Sequence, residues 1–260
     1  NSRPRRFGKS ITANMLTAYY SRGCDSKELF KNYEISTVSS YEKNLNKYDV
    51  IHLDIQWFLA NCDNVDNVVA FITKSVQAEL REIYPGVLPE EEISLSESLS
   101  RIKNIVGQKF IIIIDEWDVL IRDGEVSETI QDEYINFLRG MFKGTEPTKY
   151  IQLAYLTGIL PIKKEKAQSA VNNLDEFTML QAFGLAPYIG FTENEVKDLC
   201  KEYNRDFEKV KKWYDGYLLD GYQVYNPKAV VSLMTKGKFR SYWSETGSYE
   251  VVVPLICMNF

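Results

Sequence analysis

Gly8, Lys9 and Ser10 stand together near the amino end of the sequence, and their types suit the binding of a phosphate. A glycine lets the backbone turn tightly and brings its amides close to phosphate oxygens, because it has no Cβ in the way. The lysine ammonium can reach the terminal phosphates of a nucleotide, and the serine hydroxyl can ligate Mg²⁺. The usual loop of this kind has a further glycine before four free positions, a place that Arg3 takes here. The triplet therefore predicts a phosphate-binding loop that departs from the usual pattern at Arg3.

A helix is expected directly behind this loop. Apolar side chains recur at helical spacing at Ile11, Met15, Leu16 and Tyr19. The positive end of the helix dipole would then face the bound anion. Chance occurrence of Gly-Lys-Ser and an ordinary solvated basic run explain the same residues, and the loop alone leaves these alternatives open.

A second group of residues that could take part in chemistry is Asp115 and Glu116, which directly follow the apolar run at 110–114. A short, continuous, β-branched run is typical of a strand buried on both faces of a parallel sheet. Carboxylates at the end of such a strand are costly unless a partner such as a metal ion compensates them. We therefore expect Asp115 to orient Mg²⁺ and Glu116 to polarise the attacking water. A strand that leaves the sheet at an acidic turn would give the same pattern.

Further strands are needed to place these groups together, and residues 48–54 and 150–157 are both expected to form one. The second of them ends in Thr157, at the carboxyl end, where ligands gather in open α/β sheets. Thr157 is therefore a candidate sensor of a terminal phosphate or of the attacking water. A β-branched residue that simply closes a strand is an equally good explanation on the pattern alone. Amphipathic helices are expected at 64–84, 95–106 and 128–142.

Three of these motifs, in this order along the chain, resemble the bacterial and archaeal AAA-ATPase-like family. They are Arg3-Pro-Arg-Arg-Phe-Gly-Lys-Ser10, the strand end Asp115-Glu-Trp-Asp118, and Thr157-Gly-Ile159. Further segments that match the family are Trp213-Tyr-Asp-Gly-Tyr217, Val224-Tyr-Asn-Pro227 and Tyr242-Trp243. In that family Arg-Pro-Arg-Arg-Phe-Gly-Lys is itself the usual form of the loop, so the resemblance makes Arg3 a family trait.

The resemblance implies an α/β fold: a P-loop NTPase of the additional-strand class with a mainly parallel sheet, followed by a helical, winged-helix-like domain. It implies ATP and Mg²⁺ as ligands. The residues it assigns to the nucleotide are Arg5, Arg6, Phe7, Gly8, Lys9 and Ser10. It assigns Ser10 and Asp115 to the metal, and Glu116 and Thr157 to catalysis. Many members continue into a nuclease-like domain, and no nuclease function is inferred for these 260 residues.

The predicted domains are residues 1–180 and residues 181–260. A phosphate loop needs a strand that leads into it, so we expect such a strand before residue 1 and the sequence to be a piece of a longer protein. In the second domain, Thr192 and Glu195 have the spacing of a capping box at the start of a helix. The spacing of Phe207, Val210, Tyr214 and Tyr217 suggests another helix, which reaches Gly216.

Composition limits the remaining classes of function. The chain has 45% hydrophobic and 26% charged residues and a net charge of −5, so nothing global attracts nucleic acid or an anionic membrane. No stretch approaches the ~20 apolar residues of a membrane span. The four cysteines are far apart, which favours reduced thiols in the cytoplasm. The single histidine, His52, is expected to be a partnered strand residue and not a catalyst.

The first functional hypothesis is a slow, Mg²⁺-dependent ATPase. The arginine that neutralises transition-state charge is not identifiable: Arg5 and Arg6 are close to the loop in sequence, and a partner protein or a second copy of the chain could supply it instead. The alternative is a nucleotide-gated switch or scaffold that does not hydrolyse ATP, which the presence of Arg3 in the loop motivates. A further hypothesis is association with nucleic acid through the second domain, where Lys209, Lys211 and Lys212 are the candidate basic residues. No guanine-specificity pattern is evident, which favours ATP over GTP.

Overall fold

The computed structural model describes residues 1–161, 173–214 and 216–242. Asp215, Trp243 and Cys257 lie outside the described residues. The chain divides into two compact units, one made of Asn1 with Ser10–Glu176, and the other of Ser2–Lys9 with Phe177–Phe260. The predicted domain boundary at residue 180 stays a prediction, because this division by contacts does not show which part folds independently.

The first unit alternates helices with strands. Its helices are α1 (Lys9–Tyr20), α2 (Lys27–Phe30), α3 (Tyr41–Asn44), α4 (Ile55–Asn61), α5 (Val68–Ile83), α6 (Leu95–Val106), α7 (Val119–Arg122), α8 (Glu128–Phe142) and α9 (Pro147–Tyr150). Short 3₁₀ turns cover Glu34–Thr37 and Val65–Asn67. Its strands are β1 (Asp49–Asp54), β2 (Phe110–Asp115) and β3 (Ile151–Thr157).

The three strands form a parallel sheet in the order β1-β2-β3, which confirms the α/β class. Every residue of the central strand β2 is buried, as its unbroken β-branched run predicts. Asn1 lies beside the outer edge of β3, where its backbone nitrogen donates to the Leu156 carbonyl and its own carbonyl accepts from the Gly158 amide. The strand expected before residue 1 stays a prediction.

Different helices pack against the two faces of the sheet. On one face Ile112 and Ile114 join the main core with apolar residues of α5, α6 and α8. On the other face Ile111 and Ile113 pack with Ala13 of α1. This division follows from the alternation of side chains along a strand. α1 is therefore the helix that covers the second face of the central strand.

The ends of the amphipathic helices follow local rules. The Ser94 hydroxyl accepts a hydrogen bond from the Glu97 amide at the start of α6, and Gly107, whose φ is 84°, follows the last residue of α6. A left-handed conformation at this place favours glycine, because residues with a side chain rarely adopt it. Among the described residues no helix has the length and apolarity needed to cross a membrane.

The second unit combines helices with a small antiparallel sheet. Its elements are a 3₁₀ segment (Phe183–Tyr188), β4 (Phe191–Thr192), α10 (Glu193–Glu202), α11 (Phe207–Tyr214), β5 (Tyr217–Leu219), β6 (Tyr222–Tyr225) and α12 (Pro227–Lys236). The strand order is β4-β6-β5. The capping box of Thr192 and Glu195 is confirmed. The winged-helix identity of the second domain stays a prediction.

One sequence-based expectation for this unit is wrong: Tyr217 does not continue the helix that contains Tyr214. The helix α11 ends at Tyr214, and Tyr217 begins β5, which pairs with β6 in a hairpin. The turn of this hairpin is Asp220-Gly221, with φ values of 46° and 86°. Positive φ at both central residues is the signature of a type I′ turn, and Asp-Gly is one of its preferred sequences.

Candidate functional site

The carboxyl ends of the three parallel strands bring three polar side chains into one row. Asp54 of β1 is the register partner of Asp115 of β2, and Asp115 is in turn the partner of Thr157 of β3. Neighbouring strands lie about 4.8 Å apart, so the whole row spans about 10 Å. The Asp54 carboxylate already accepts the Trp57 amide at 3.0 Å and caps α4. The Asp115–Thr157 part of this edge is the candidate site, because ligands of open α/β sheets bind at such an edge.

Helix α1 runs antiparallel to the strands on the face to which Asp115 belongs. Near its carboxyl end the Tyr20 carbonyl accepts from the Tyr48 amide, just before β1, at 2.9 Å. One turn back, the Thr17 hydroxyl lies 2.9 Å from His52 Nδ1, and a further turn back Ala13 packs with Ile113. His52 and Ile113 are register partners, nearer to the carboxyl edge of the sheet than Tyr48. The helix therefore approaches that edge as it is followed back to its amino end.

Ser10 lies at this amino end of α1. Seven residues of helix separate Thr17 from Ser10, a rise of about 10 Å, whereas His52 is only about 7 Å from the strand end. Ser10 is exposed, and Asp115 shares a face of β2 with Ile113 by the alternation of side chains. The amino end of α1 and the Asp115 carboxylate therefore belong to the same end and the same face of the sheet.

The loop residues before α1 belong to the second unit. Arg6 and Gly8 have left-handed φ values of 67° and 88°, with Phe7 between them. Arg5 and Arg6 are exposed, whereas Phe7 and Lys9 are buried. The Lys9 ammonium donates to the Pro4 carbonyl at 3.2 Å. A Cβ at Gly8 would meet nothing within 4 Å beyond its chain neighbours, so the left-handed backbone conformation, and not crowding, favours glycine there.

Glu116, the expected catalytic base, follows the strand in a left-handed conformation with φ of 52°. Such a conformation costs a non-glycine residue about 1–3 kcal/mol and is typical of functional sites. Its Oε2 lies 2.7 Å from Nη2 of Arg122, at the end of α7. Arg122 was not among the site residues predicted from the sequence.

Asp118 holds Arg122 from the other side. Its Oδ2 lies 2.9 Å from Arg122 Nε, and it also accepts the amides of Ile159 at 3.0 Å and Leu160 at 2.7 Å. The Asp118 side chain is fully buried, so these N–H donors supply what its charge loses in hydration. The i,i+4 spacing of Asp118 and Arg122 in the sequence was a signal for this pair. The result is a link from the segment after β3 to the expected base.

Gly158, the residue after Thr157, fits tightly against this network. A Cβ at position 158 would lie 2.6 Å from Asp118 Oδ1 and 2.6 Å from Trp117 Cδ1. The Trp117 amide also donates to the Thr157 carbonyl at 3.1 Å. The close approach of the segments after β2 and β3 therefore requires glycine at this position.

Thr157 is fully buried, and its hydroxyl has no hydrogen-bond partner within the part of the chain that the structure describes. The same holds for Oδ1 of Asp118 and the hydroxyl of Tyr134. Burial, with a smaller contribution from the charge of Asp118, raises the pKa of Tyr134 above its ordinary value. A buried polar atom without a partner costs about 1–3 kcal/mol. Unsatisfied atoms of this kind call for a ligand or a water molecule.

His52 has the partner that the sequence analysis expected. Its Nδ1 lies 2.9 Å from the Thr17 hydroxyl, which also donates to the Ala13 carbonyl. Burial lowers the pKa of His52 below its ordinary value of 6.5, against the smaller opposing effects of Asp115 and Asp54. A neutral imidazole is the form that this environment favours.

No group of three or more histidine, cysteine, aspartate or glutamate side chains is arranged to hold a metal ion within the described ranges. Magnesium in nucleotide sites does not need such a cage, because it keeps several waters and takes one or two protein oxygens together with the phosphates. A hydroxyl and one carboxylate at the same edge of the sheet, as with Ser10 and Asp115, fit this requirement.

A family model described as "Predicted AAA-ATPase" matches residues 1–167. The "Uncharacterized protein in vnfD 5′ region" of Azotobacter chroococcum mcd 1 is 24% identical over 262 residues, which cover 98% of this chain and 48% of that protein. The chain therefore spans about half the length of this curated relative.

Among solved structures, Cdc6p of Pyrobaculum aerophilum is similar to this chain with a TM-score of 0.31 and 15% identity. The match covers 77% of this chain and 41% of that one. The family assignment rests on the match over residues 1–167, which is more than half of the chain.

Proposed function

Because the chain belongs to the AAA-ATPase-like family, described as predicted AAA-ATPases, we propose that it binds ATP with Mg²⁺ and hydrolyses it slowly. The observation that carries the proposal is the row of Asp115 and Thr157 at the carboxyl edge of the parallel sheet. Helix α1 packs on the same face as Asp115, and its amino end, with Ser10, points toward this edge. A hydroxyl, a carboxylate and an unsatisfied buried hydroxyl suit a metal–triphosphate.

Each residue has a distinct role in this proposal. Residues 5–9 bind phosphate oxygens through backbone amides and through the charges of Arg5, Arg6 and Lys9. Ser10 and Asp115 hold the Mg²⁺. When bound, the metal neutralises charge on the phosphates and orients them.

Glu116 and Thr157 act on the attacking water in this proposal. The Glu116 carboxylate accepts a proton from the water or orients it as a base. The Thr157 hydroxyl gains its missing hydrogen bond from the water or the terminal phosphate. Arg122, which touches Glu116, fixes where the carboxylate lies between turnovers.

The test is titration calorimetry with ATP and Mg²⁺, followed by phosphate release. We expect binding by the unaltered chain, loss of at least tenfold in affinity for Lys9→Ala, and loss of the Mg²⁺ contribution for Asp115→Asn. Glu116→Gln should keep ATP binding and lose phosphate release, whereas the exposed Glu125→Gln should change neither. Absence of ATP binding by the unaltered chain would contradict the proposal.

The alternative function is a nucleotide-gated switch or scaffold without useful turnover. The ion pair between Glu116 and Arg122 favours it, because one oxygen of the expected base is already engaged. Phosphate release that stays the same in Glu116→Gln, with ATP still bound, would select this alternative.

Association with nucleic acid through the second unit and assembly with a partner or a second copy also stay proposals. Lys211 is already paired with Glu193, which weakens the basic group at 209–212. Absent or salt-insensitive DNA retention would count against nucleic acid. Cys24, Cys62 and Cys200 are free thiols, and a cytoplasmic location stays a prediction from them.

A further inference from the structure

The side chain of Phe7, at the centre of the phosphate-binding loop, lies inside the hydrophobic core of the second unit. It is 1% exposed and shares a cluster with buried residues of the 3₁₀ segment, its preceding residue and the β5–β6 hairpin. The cluster residues are Ala182, Ala186, Leu219 and Val224. The Phe7 ring also meets the Tyr217 ring edge-on, with centroids 5.4 Å apart. The ring therefore packs among apolar groups and is closed off from solvent.

Gly190 leaves the space that Phe7 occupies. A Cβ at position 190 would lie 3.2 Å from Phe7 Cε1 and 2.4 Å from Val224 Cγ1, and the φ of Gly190 is 108°. Five residues before Phe7, the Ser2 amide donates to the Phe177 carbonyl at 2.8 Å. The loop is thus attached to the second unit both by an apolar side chain and by its backbone.

We infer that Phe7 is a positioning residue, through which the β5–β6 hairpin and the 3₁₀ segment set the conformation of the phosphate-binding loop. The residues on either side of Phe7 are the ones with left-handed φ, Arg6 and Gly8. A left-handed φ costs free energy at Arg6, because this residue is not glycine. Such strain persists only where surrounding contacts determine the backbone conformation. The anchored ring between the two residues is that determinant.

The inference has a thermodynamic consequence and rests on the proposed function. If the anchored ring raises the affinity of the loop for a triphosphate, the triphosphate must stabilise the anchored state of the hairpin by the same factor. The segment matched by the family, residues 1–167, contains the loop and none of the four cluster residues or Tyr217. Nucleotide affinity would therefore depend on residues beyond the matched segment.

The experiment compares the unaltered chain with Phe7→Ala, Phe7→Leu and Leu233→Ala, using MgATP in titration calorimetry. Leu233 is fully buried in the other cluster of the second unit, so its truncation loosens the same unit away from the loop. We expect Phe7→Ala to lose at least tenfold in ATP affinity, Phe7→Leu to stay within threefold of the unaltered chain, and Leu233→Ala to bind normally. Far-UV circular dichroism checks that each variant is folded.

Amide exchange of residues 217–225, with and without MgATP, is the second measurement. MgATP should slow this exchange in the unaltered chain and in Leu233→Ala but not in Phe7→Ala. The inference would be overturned if Phe7→Ala bound ATP with normal affinity, or if MgATP did not change the exchange rate in the unaltered chain. Either result would leave the proposed function intact. Failure of the unaltered chain to bind ATP would overturn both.

Discussion

The guanidinium of Arg122 lies 2.7 Å, Nη2 to Oε2, from the carboxylate of Glu116, the residue that we propose as the base. Arg122 is in turn held by the buried Asp118, which accepts the amides of Ile159 and Leu160 just after Thr157. The segment that follows the proposed sensor is therefore joined to the proposed base by a short chain of hydrogen bonds. A displacement of the segment after β3 would be passed to Glu116 through Arg122.

Removal of the Arg122 charge should affect stability first. In Arg122→Gln the buried Asp118 keeps two amide donors and loses its cation, so we expect a loss of about 3 kcal/mol in the free energy of unfolding. Urea unfolding followed by tryptophan fluorescence measures it. The control is Lys149→Gln, which removes an exposed ion pair with Glu146 and should cost under about 1 kcal/mol. Equal losses in the two variants would contradict the assigned importance of the network.

Gly158→Ala should destabilise the protein although it adds one methyl group. The new Cβ would lie 2.6 Å from both Asp118 Oδ1 and Trp117 Cδ1, and neither side chain has room to retreat in the core. We expect a cost of about 1–3 kcal/mol, the range for an overpacked interior. Gly124→Ala is the matched control, because it has open space and should change stability by less than about 0.5 kcal/mol. A neutral Gly158→Ala would refute the close approach of the two segments.

The sheet and the helix ends could be predicted from the sequence because local patterns determine them. The β-branched run of β2 and the glycine at the end of α6 are examples. The position of Phe7 in the core of the second unit could not be predicted, because its cluster partners are about 175 residues or more away in the sequence. Arg122 was missed because the contact with Glu116 depends on the left-handed turn at Glu116, which no sequence rule indicates.

The β5–β6 hairpin was not predicted, although the sequence contains a signal for it. Asp220-Gly221 between short apolar stretches is a strong indicator of a hairpin. The helical spacing of Phe207, Val210 and Tyr214 was instead extended to Tyr217. A turn signal that follows a helical pattern should end that pattern.

The single histidine permits a clean test of electrostatics. Burial lowers the pKa of His52, so its imidazole resonance should titrate below 6.5 in a nuclear magnetic resonance experiment. Below pH 6.5 the unfolded chain binds a proton at His52 more readily than the folded chain does. The free energy of unfolding therefore decreases as the pH falls. His52→Asn should therefore reduce the loss of stability between pH 7 and pH 5.5. A titration midpoint above 6.5 would mean that Asp115 and Asp54 outweigh burial.

Thr157→Val separates stability from function at the proposed sensor. The substitution keeps the shape of the side chain and removes a buried hydroxyl that lacks a hydrogen-bond partner among the described residues. We expect the free energy of unfolding to rise by about 1 kcal/mol, since an unsatisfied polar group is replaced by a methyl group. Phosphate release at saturating ATP should fall at least tenfold, because the hydroxyl would lose its role toward the water or the terminal phosphate.

The control for this variant is Thr17→Val, in which the hydroxyl has partners. Thr17 Oγ1 contacts both the Ala13 carbonyl and His52 Nδ1, so its removal should lower stability by about 1 kcal/mol. Opposite signs for two identical substitutions would show that the Thr157 hydroxyl is kept at a cost to the fold. If Thr157→Val is less stable than the unaltered chain and releases phosphate normally, the hydroxyl is satisfied by a buried water molecule and Thr157 is not the sensor.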